Sequence, residues 1–274
     1  MPGRVSPDVL QAGMPSDERV RLLQPADRAA ATGVVGRAFA GTPSTEGELA
    51  VNWAIGPSLA TLGDPARDEL VKFIMSFVMV SHVPISTVLT TVGADAQPTA
   101  ICMCRRLHSG KSKRPLRDLL VALRLIWRAW RRKQPPTALH GEAKHPNLSS
   151  SLQARGDVVK RVRSRMHKTH APGAHWYIEV LATDPPQQGL GLGSALARAV
   201  ARMADAERVP CYLECSGAKK RRFYEHLGYK CVGTYALRAS GKAEKVGADE
   251  PTTNTLPWPD FEEFHAMIRE PGGS

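Results

Sequence analysis

Gln188, Gly189, Leu190, Gly191, Leu192 and Gly193 stand between an apolar, β-rich run and an Ala-rich run of helical spacing. Residues of these types in this place can hold an anion. The first N–H groups of a helix have no partner inside it, and the helix dipole adds partial positive charge, so a phosphate or pyrophosphate docks on such a terminus. Glycine keeps the backbone open to that approach because no Cβ intervenes. The spacing argues against two familiar cradles. A dinucleotide fingerprint, G-x-G-x-x-G, fails because Gly191 and Gly193 are followed by Leu196, and the register one glycine earlier ends on Ser194. A P-loop fails because Gly193 is followed by Ser194 and Ala195 where Lys and then Ser or Thr are required. The residues do form Q-x-x-G-x-G, filled by Gln188, Gly191 and Gly193.

The elements that must position this loop are legible on both sides. Trp176 to Thr183 reads as a strand, stopped by Asp184, Pro185 and Pro186. Leu196, Val200 and Met203 recur at helical spacing in a segment ending near Arg208. Upstream, Val20 to Leu23 reads as a first strand, and Pro25, Ala26 and Asp27 open a helix through about Phe39. A helix is predicted over 64–80, with Asp64 as N-cap and Leu70, Phe73, Ile74 and Phe77 on one face. Residues 86–92 and 99–104 read as a hairpin turning at Gly93, Ala94 and Asp95. Residues 1–18, polar with three prolines and two glycines, read as a disordered tail, and 239–257 as an exposed connection.

Beyond the loop, Val209 to Ser216 is β-rich and leads to Phe223, Tyr224, Glu225, His226, Leu227, Gly228 and Tyr229. With Q-x-x-G-x-G ahead of it, this pattern resembles the GNAT superfamily of acyl-CoA-dependent N-acetyltransferases: fifth strand, short helix, then Y-x-x-x-G-[FY]. Trp176, Tyr177 and Leu181 to Pro185 before the loop, with Tyr212 to Glu214 behind it and His265 to Pro271 at the end, look most like the puromycin N-acetyltransferase type. That resemblance implies an α/β (α+β) fold: a central mixed, mostly antiparallel six- to seven-stranded sheet with helices on both faces and splayed fourth and fifth strands. It implies a single domain over 19–274, with a basic helical insertion from about 105 to 174 that helps cover the acceptor site.

The same resemblance assigns roles. Acetyl-CoA as co-substrate binds where the fourth and fifth strands part, with Leu181, Ala182 and Thr183 at the thioester and pantetheine, and Gln188, Gly189, Leu190, Gly191, Leu192, Gly193 and Ser194 at the pyrophosphate. Tyr224 becomes the general acid for the departing thiolate. An attacking amine must be neutral, so a carboxylate must take its proton; Glu179 and Glu214 are the candidates, with Glu179 slightly favoured. His175 and His226 rank below them as structural histidines. One departure stands out: many relatives carry Asn between the fifth strand and the Tyr, whereas this chain has Gly217, Ala218, Lys219 and Lys220. The reaction needs no metal, and no ligand cluster is visible. The expected acceptor is the primary amine of a small molecule, puromycin-like or another xenobiotic. The alternatives are a protein or peptide acceptor, and a catalytically silent domain that binds CoA or an anionic polymer.

Composition bounds these readings. The chain has 274 residues, 42% of them hydrophobic and 23% charged, as in ordinary globular proteins. No apolar run spans a membrane and no basic segment with an apolar core opens the chain, so a cytoplasmic protein is expected. Its five cysteines, at 102, 104, 211, 215 and 231, lack zinc-ligand spacing and read as free thiols. The net charge of +11 is concentrated: residues 105–170 carry 18 Lys and Arg against 3 Asp and Glu. Leu116, Leu119, Leu120, Leu123, Ile126, Trp127 and Trp130 form an apolar stripe there, with Arg117, Arg124, Arg128 and Arg131 on another face. Three readings of this basic segment stand open: a solvated face over a packed stripe, attraction for an anionic cofactor, and, least favoured, a nucleic-acid or anionic-surface contact. Oligomeric state is not encoded in any of these patterns.

Overall fold

The computed structural model describes residues 6–13, 19–42, 47–55, 65–107, 148–238 and 261–273. Its helices are α1 (Pro7–Gly13), α2 (Arg28–Ala40), α3 (Leu49–Ile55), α4 (Pro65–His82), α5 (Leu148–His170), α6 (Leu192–Ala206) and α7 (Ala218–Glu225). Its strands are β1 (Val20–Leu22), β2 (Thr87–Val92), β3 (Pro98–Leu107), β4 (His175–Thr183), β5 (Cys211–Ser216), β6 (Lys230–Leu237) and β7 (Phe261–Arg269). They form one seven-stranded sheet in the order β1-β2-β3-β4-β5-β7-β6. Every neighbouring pair is antiparallel except β4 with β5, which is parallel. This is the mixed, mostly antiparallel sheet that the resemblance implies, with helices on both faces.

Alternation along the strands divides the core. On one face Cys102, Cys104, Trp176, Ile178 and Leu213 pack against Leu192, Leu196, Val200 and Met203 of α6. The Ala-rich α6 turns these four inward at helical spacing, and burying each large apolar side chain is worth roughly 1.5–3 kcal/mol. On the other face, Ile101, Met103, Val180 and Ala182 meet α2 and α4, and Tyr177, Tyr212 and Phe264 meet α3 and α5. The fully buried Arg67 of α4 ties this layer together: its Nη1 donates to Ala40 O at 2.6 Å and its Nη2 to Asn52 Oδ1.

Several expectations are corrected here. Within the stretch read as a tail, Pro7–Gly13 are helical, and Arg202 Nη2 of α6 donates to Gly13 O at 3.1 Å. The helix forms because α6 offers it an apolar flank, which Val9 and Leu10 cover. The strand read as ending at Cys104 continues through Leu107, so the insertion begins later than 105. Arg105 and Arg106 stay in the strand because each finds a carboxylate, Glu179 and Glu207 respectively. α3 carries no sequence signal strong enough to be predicted. The apolar stripe Leu116 to Trp130 and the connection 239–257 lie outside the described residues; the second basic segment, with Val159, Val162 and Met166, is helical within α5.

Candidate active site

The parallel ladder between β4 and β5 is short. It joins Trp176 to Cys211, Tyr177 to Tyr212 and Ile178 to Leu213, and then stops. Beyond that rung, among the described residues, β4 pairs with β3 alone and β5 with β7 alone. The strands part as the resemblance implies, and the backbone edge of β4 from Glu179 onward is turned toward the gap.

On the α6 side of the gap lies the glycine loop. Gly189 and Gly191 adopt φ of 84° and 75°, the left-handed region, and a Cβ at either would meet no atom within 4 Å. Gly191 is the N-cap of α6, so no capping side chain covers the first helical N–H groups. Gln188 Nε2 donates to Thr183 O at 3.2 Å, which ties the loop to the end of β4, and Arg37 of α2 grips Asp184 just beyond that end with two hydrogen bonds of 2.8 and 2.7 Å. At Gly193 a Cβ would come within 3.2 Å of Thr183 Oγ1, so strand and helix approach closely there. These residues fit an extended phosphorylated co-substrate: backbone donors at one end, an open strand edge at the other. Replacing Gly191 by Val places a β-branched residue in the left-handed region, a strain of roughly 1–2 kcal/mol. The expected result is acetyl-CoA affinity lowered about tenfold in calorimetric titration; equal affinity in the two proteins would remove the loop from binding.

Tyr224, on α7, is 8% exposed and packs with Leu192, Leu196 and Cys215 on this same face. Its ring meets those of Phe223 and Tyr229 edge-on, at centroid distances of 5.0 and 5.6 Å. Burial pushes its phenol well above the ordinary range near 10, so it stays protonated. The stretch without the family's Asn is tied elsewhere: Lys220 Nζ donates to Gly47 O at 2.9 Å and stands 3.3 Å from Glu48 Oε2.

On the opposite face stand the two carboxylates, each the first residue of its strand beyond the last rung. Met103 faces Val180 and Cys104 faces Ile178, which leaves Glu179 as the extra residue of a β-bulge. Its Oε1 lies 3.1 Å from both Arg105 Nη2 and His82 Nε2, while Oε2 is buried with no hydrogen-bond partner among the described residues. The side chain is 9% exposed. Glu214, 1% exposed, accepts from Tyr177 Oη at 2.7 Å and lies 3.5 Å from Arg163 Nη2. Burial raises its pKa, against the pull of Arg163 and the hydroxyls of Tyr177 and Tyr212.

Residues 121–229 match the family model described as the Acetyltransferase (GNAT) family. A putative arylalkylamine N-acetyltransferase 7 from the yellow fever mosquito superposes with a TM-score of 0.54 at 13% identity, covering 92% of this chain and 86% of that one. The chain carries the GNAT fold. A histone acetyltransferase HPA2 and related acetyltransferase from Corynebacterium glutamicum is 16% identical with a TM-score of 0.46, over 92% of this chain and 96% of that one. A mycothiol acetyltransferase of Beutenbergia cavernae is 44% identical over 62 residues, 22% of this chain; the chain matches only 21% of that curated relative's length. The family match takes in less than half of this chain. Among the described residues no group of three or more His, Cys, Asp or Glu could hold a metal ion, and no helix is long and apolar enough to cross a membrane.

Around the carboxylates of this GNAT fold the structure gathers residues that were not read as functional: His82, Arg105, Arg163, His167 and Tyr177. Arg163 Nη2 donates to Tyr177 Oη at 2.5 Å, and the Arg105 guanidinium lies 6.0 Å from the Tyr177 ring centroid. His226 stands apart, its Nδ1 2.6 Å from Arg222 O. His175 is structural in form: Nδ1 donates to Gly173 O at 2.8 Å, so Nε2 accepts from His167 Nε2 at 2.7 Å when both rings are neutral. Burial lowers both histidines to about 4. In the unfolded chain they protonate near pH 6.5, so between pH 6.5 and 4 the unfolded state binds more protons and stability falls as pH falls. The slope reaches at most about 2.7 kcal/mol per pH unit for two protons. Urea unfolding from about pH 7 to about pH 4.5 should show it, flattened in the His167→Gln, His175→Gln double variant; an equally steep double variant would place the acid sensitivity elsewhere.

Proposed function

We propose that the protein transfers an acetyl group from acetyl-CoA to the primary amine of a small molecule by direct attack in a ternary complex. The observation that carries this reading is the interrupted β4–β5 ladder, with the uncapped glycine loop on one face and two carboxylates at the opening on the other. Acetyl-CoA supplies the acetyl group in thioester form. Gly189 to Ser194 hold its pyrophosphate through main-chain N–H groups, and Leu181, Ala182 and Thr183 offer their strand edge to its arm. A main-chain N–H of β4 at the gap polarises the carbonyl oxygen as it gains negative charge. Glu179 takes the proton of the amine: its Oε2 has no hydrogen-bond partner among the described residues, and its side chain is 9% exposed against 1% for Glu214. Tyr224 gives a proton to the departing sulfur. Glu214 holds Tyr177 and Arg163 in place.

The test is thiol release from acetyl-CoA across a panel of puromycin, other xenobiotic amines, polyamines and peptides, with the product identified by mass. Amine-dependent turnover confined to small molecules supports the reading. Turnover on peptides alone replaces it with a protein or peptide acetyltransferase, and acetyl-CoA binding without turnover on any amine replaces it with a silent domain.

A further inference from the structure

The groups around the opening are arranged by charge in depth. The two carboxylates lie underneath, Glu179 at 9% and Glu214 at 1% exposure, while the guanidinium groups that meet them reach further out, Arg105 at 25% and Arg163 at 38%, as does the His82 ring at 30%. An acceptor approaching from this face therefore meets positive charge before negative. Four buried atoms in this cluster also lack hydrogen-bond partners among the described residues: Glu179 Oε2 and Glu214 Oε1, which only accept, Arg105 Nε, which only donates, and Tyr212 Oη, which can do either. Buried polar groups without partners are rare, and a ligand is one of the things that satisfies them. A simple cationic amine would satisfy a carboxylate oxygen and leave the Arg105 donor bare. An amine that also carries a negative group satisfies acceptor and donor together.

We infer that the acceptor is an amine bearing an anionic group close to the reacting nitrogen, with the nitrogen placed at Glu179 Oε2 and the anion at Arg105 and Arg163. Resting on the acetyl-transfer reading, this narrows the substrate class. Arg163 suits the second role because its polar contacts among the described residues, to Tyr177 Oη and to Glu214 Oε2, are made by Nη2. Its planar fork carries five donors, and a carboxylate or phosphate is the geometric match for such a fork.

The experiment compares acceptors that differ only in the anion, using the full chain and saturating acetyl-CoA: tyrosine with tyramine, arginine with agmatine, and O-phosphoethanolamine with ethanolamine. The expected kcat/KM is about tenfold or more higher for the anionic member of at least one pair, as a charge-assisted hydrogen bond implies. Carboxylate and phosphate pairs separate the two anion chemistries. In Arg163→Gln and Arg105→Gln the anionic member should lose about tenfold more than its partner, which a merely structural role for either arginine would not produce, since that lowers both members alike. Preference for the uncharged-side member in every pair, or a ratio that neither variant moves, overturns the inference and leaves acetyl transfer standing. Absence of turnover on every amine overturns both.

Discussion

Tyr224→Phe should lower kcat by about 10²-fold or more while leaving acetyl-CoA affinity within about twofold, the pattern of a lost proton donor rather than a lost binding contact. The substitution removes one oxygen from a ring that keeps its packing against Phe223, Tyr229, Leu192 and Leu196, so the fold has no reason to move. Burial holds the phenol well above 10, so the donor is loaded at every pH at which the enzyme can be assayed. Its titration should therefore be invisible in the pH profile of the wild type. A general acid matters in proportion to the basicity of what it protonates, which gives a second readout. With a thioester whose thiol is more acidic than that of CoA, the defect of Tyr224→Phe should shrink. Unchanged kcat would remove Tyr224 from the mechanism, and a defect of equal size with both thioesters would assign it to packing.

The parts of this protein that could be read in the chain are those in which the deciding residues are neighbours. The glycine loop, the strand before it, the helix after it and Tyr224 with Gly228 and Tyr229 all lie within 176–229, and each is set by local spacing. The hairpin of β2 and β3 was legible for the same reason. The acceptor side was not, because it is assembled from α4, β3, α5, β4 and β5: Arg105 meets Glu179 across 74 positions and Tyr177 meets Glu214 across 37. Strand alternation, the usual guide to which side chains share a face, is broken at the decisive point. Tyr177 lies on the face of α3 and α5, and strict alternation would put Val180 on the other side of the sheet, yet Val180 and Ala182 pack against α2 and α4 on the same side. The bulge at Glu179 makes that change, and nothing in Ile178, Glu179 and Val180 announces a bulge. Arg163 and His167 were visible only as members of a basic stretch, since charge count gives no direction.

The bulge also decides which carboxylate should matter more. Glu214 has the raised pKa expected of a base and, like Glu179, one oxygen without a hydrogen-bond partner among the described residues, but its Oε2 is taken by Tyr177 and its side chain, 1% exposed, is sealed beneath Tyr212, His167 and Arg163. Glu179 has one oxygen engaged by Arg105 and His82, the other without a partner among the described residues, and a side chain that reaches 9% exposure. Glu179→Gln keeps the size and removes the ability to take a proton. The expected loss in kcat/KM is about 10²–10⁴-fold, the range for general acid–base groups. The distinguishing feature is the pH profile. Without a base only the fraction of amine that is already neutral reacts, so log kcat/KM in the variant should climb with a slope of about 1 toward the amine's own pKa, narrowing the gap to wild type as pH rises. Glu214→Gln should lower the rate less and keep the wild-type profile, because its partners can rearrange around an amide. If Glu214→Gln shows the unit slope and Glu179→Gln does not, the base is Glu214 and the bulge serves to shape the acceptor site. If neither variant does, the amine must enter already neutral, and the two carboxylates act only to hold the cations around them.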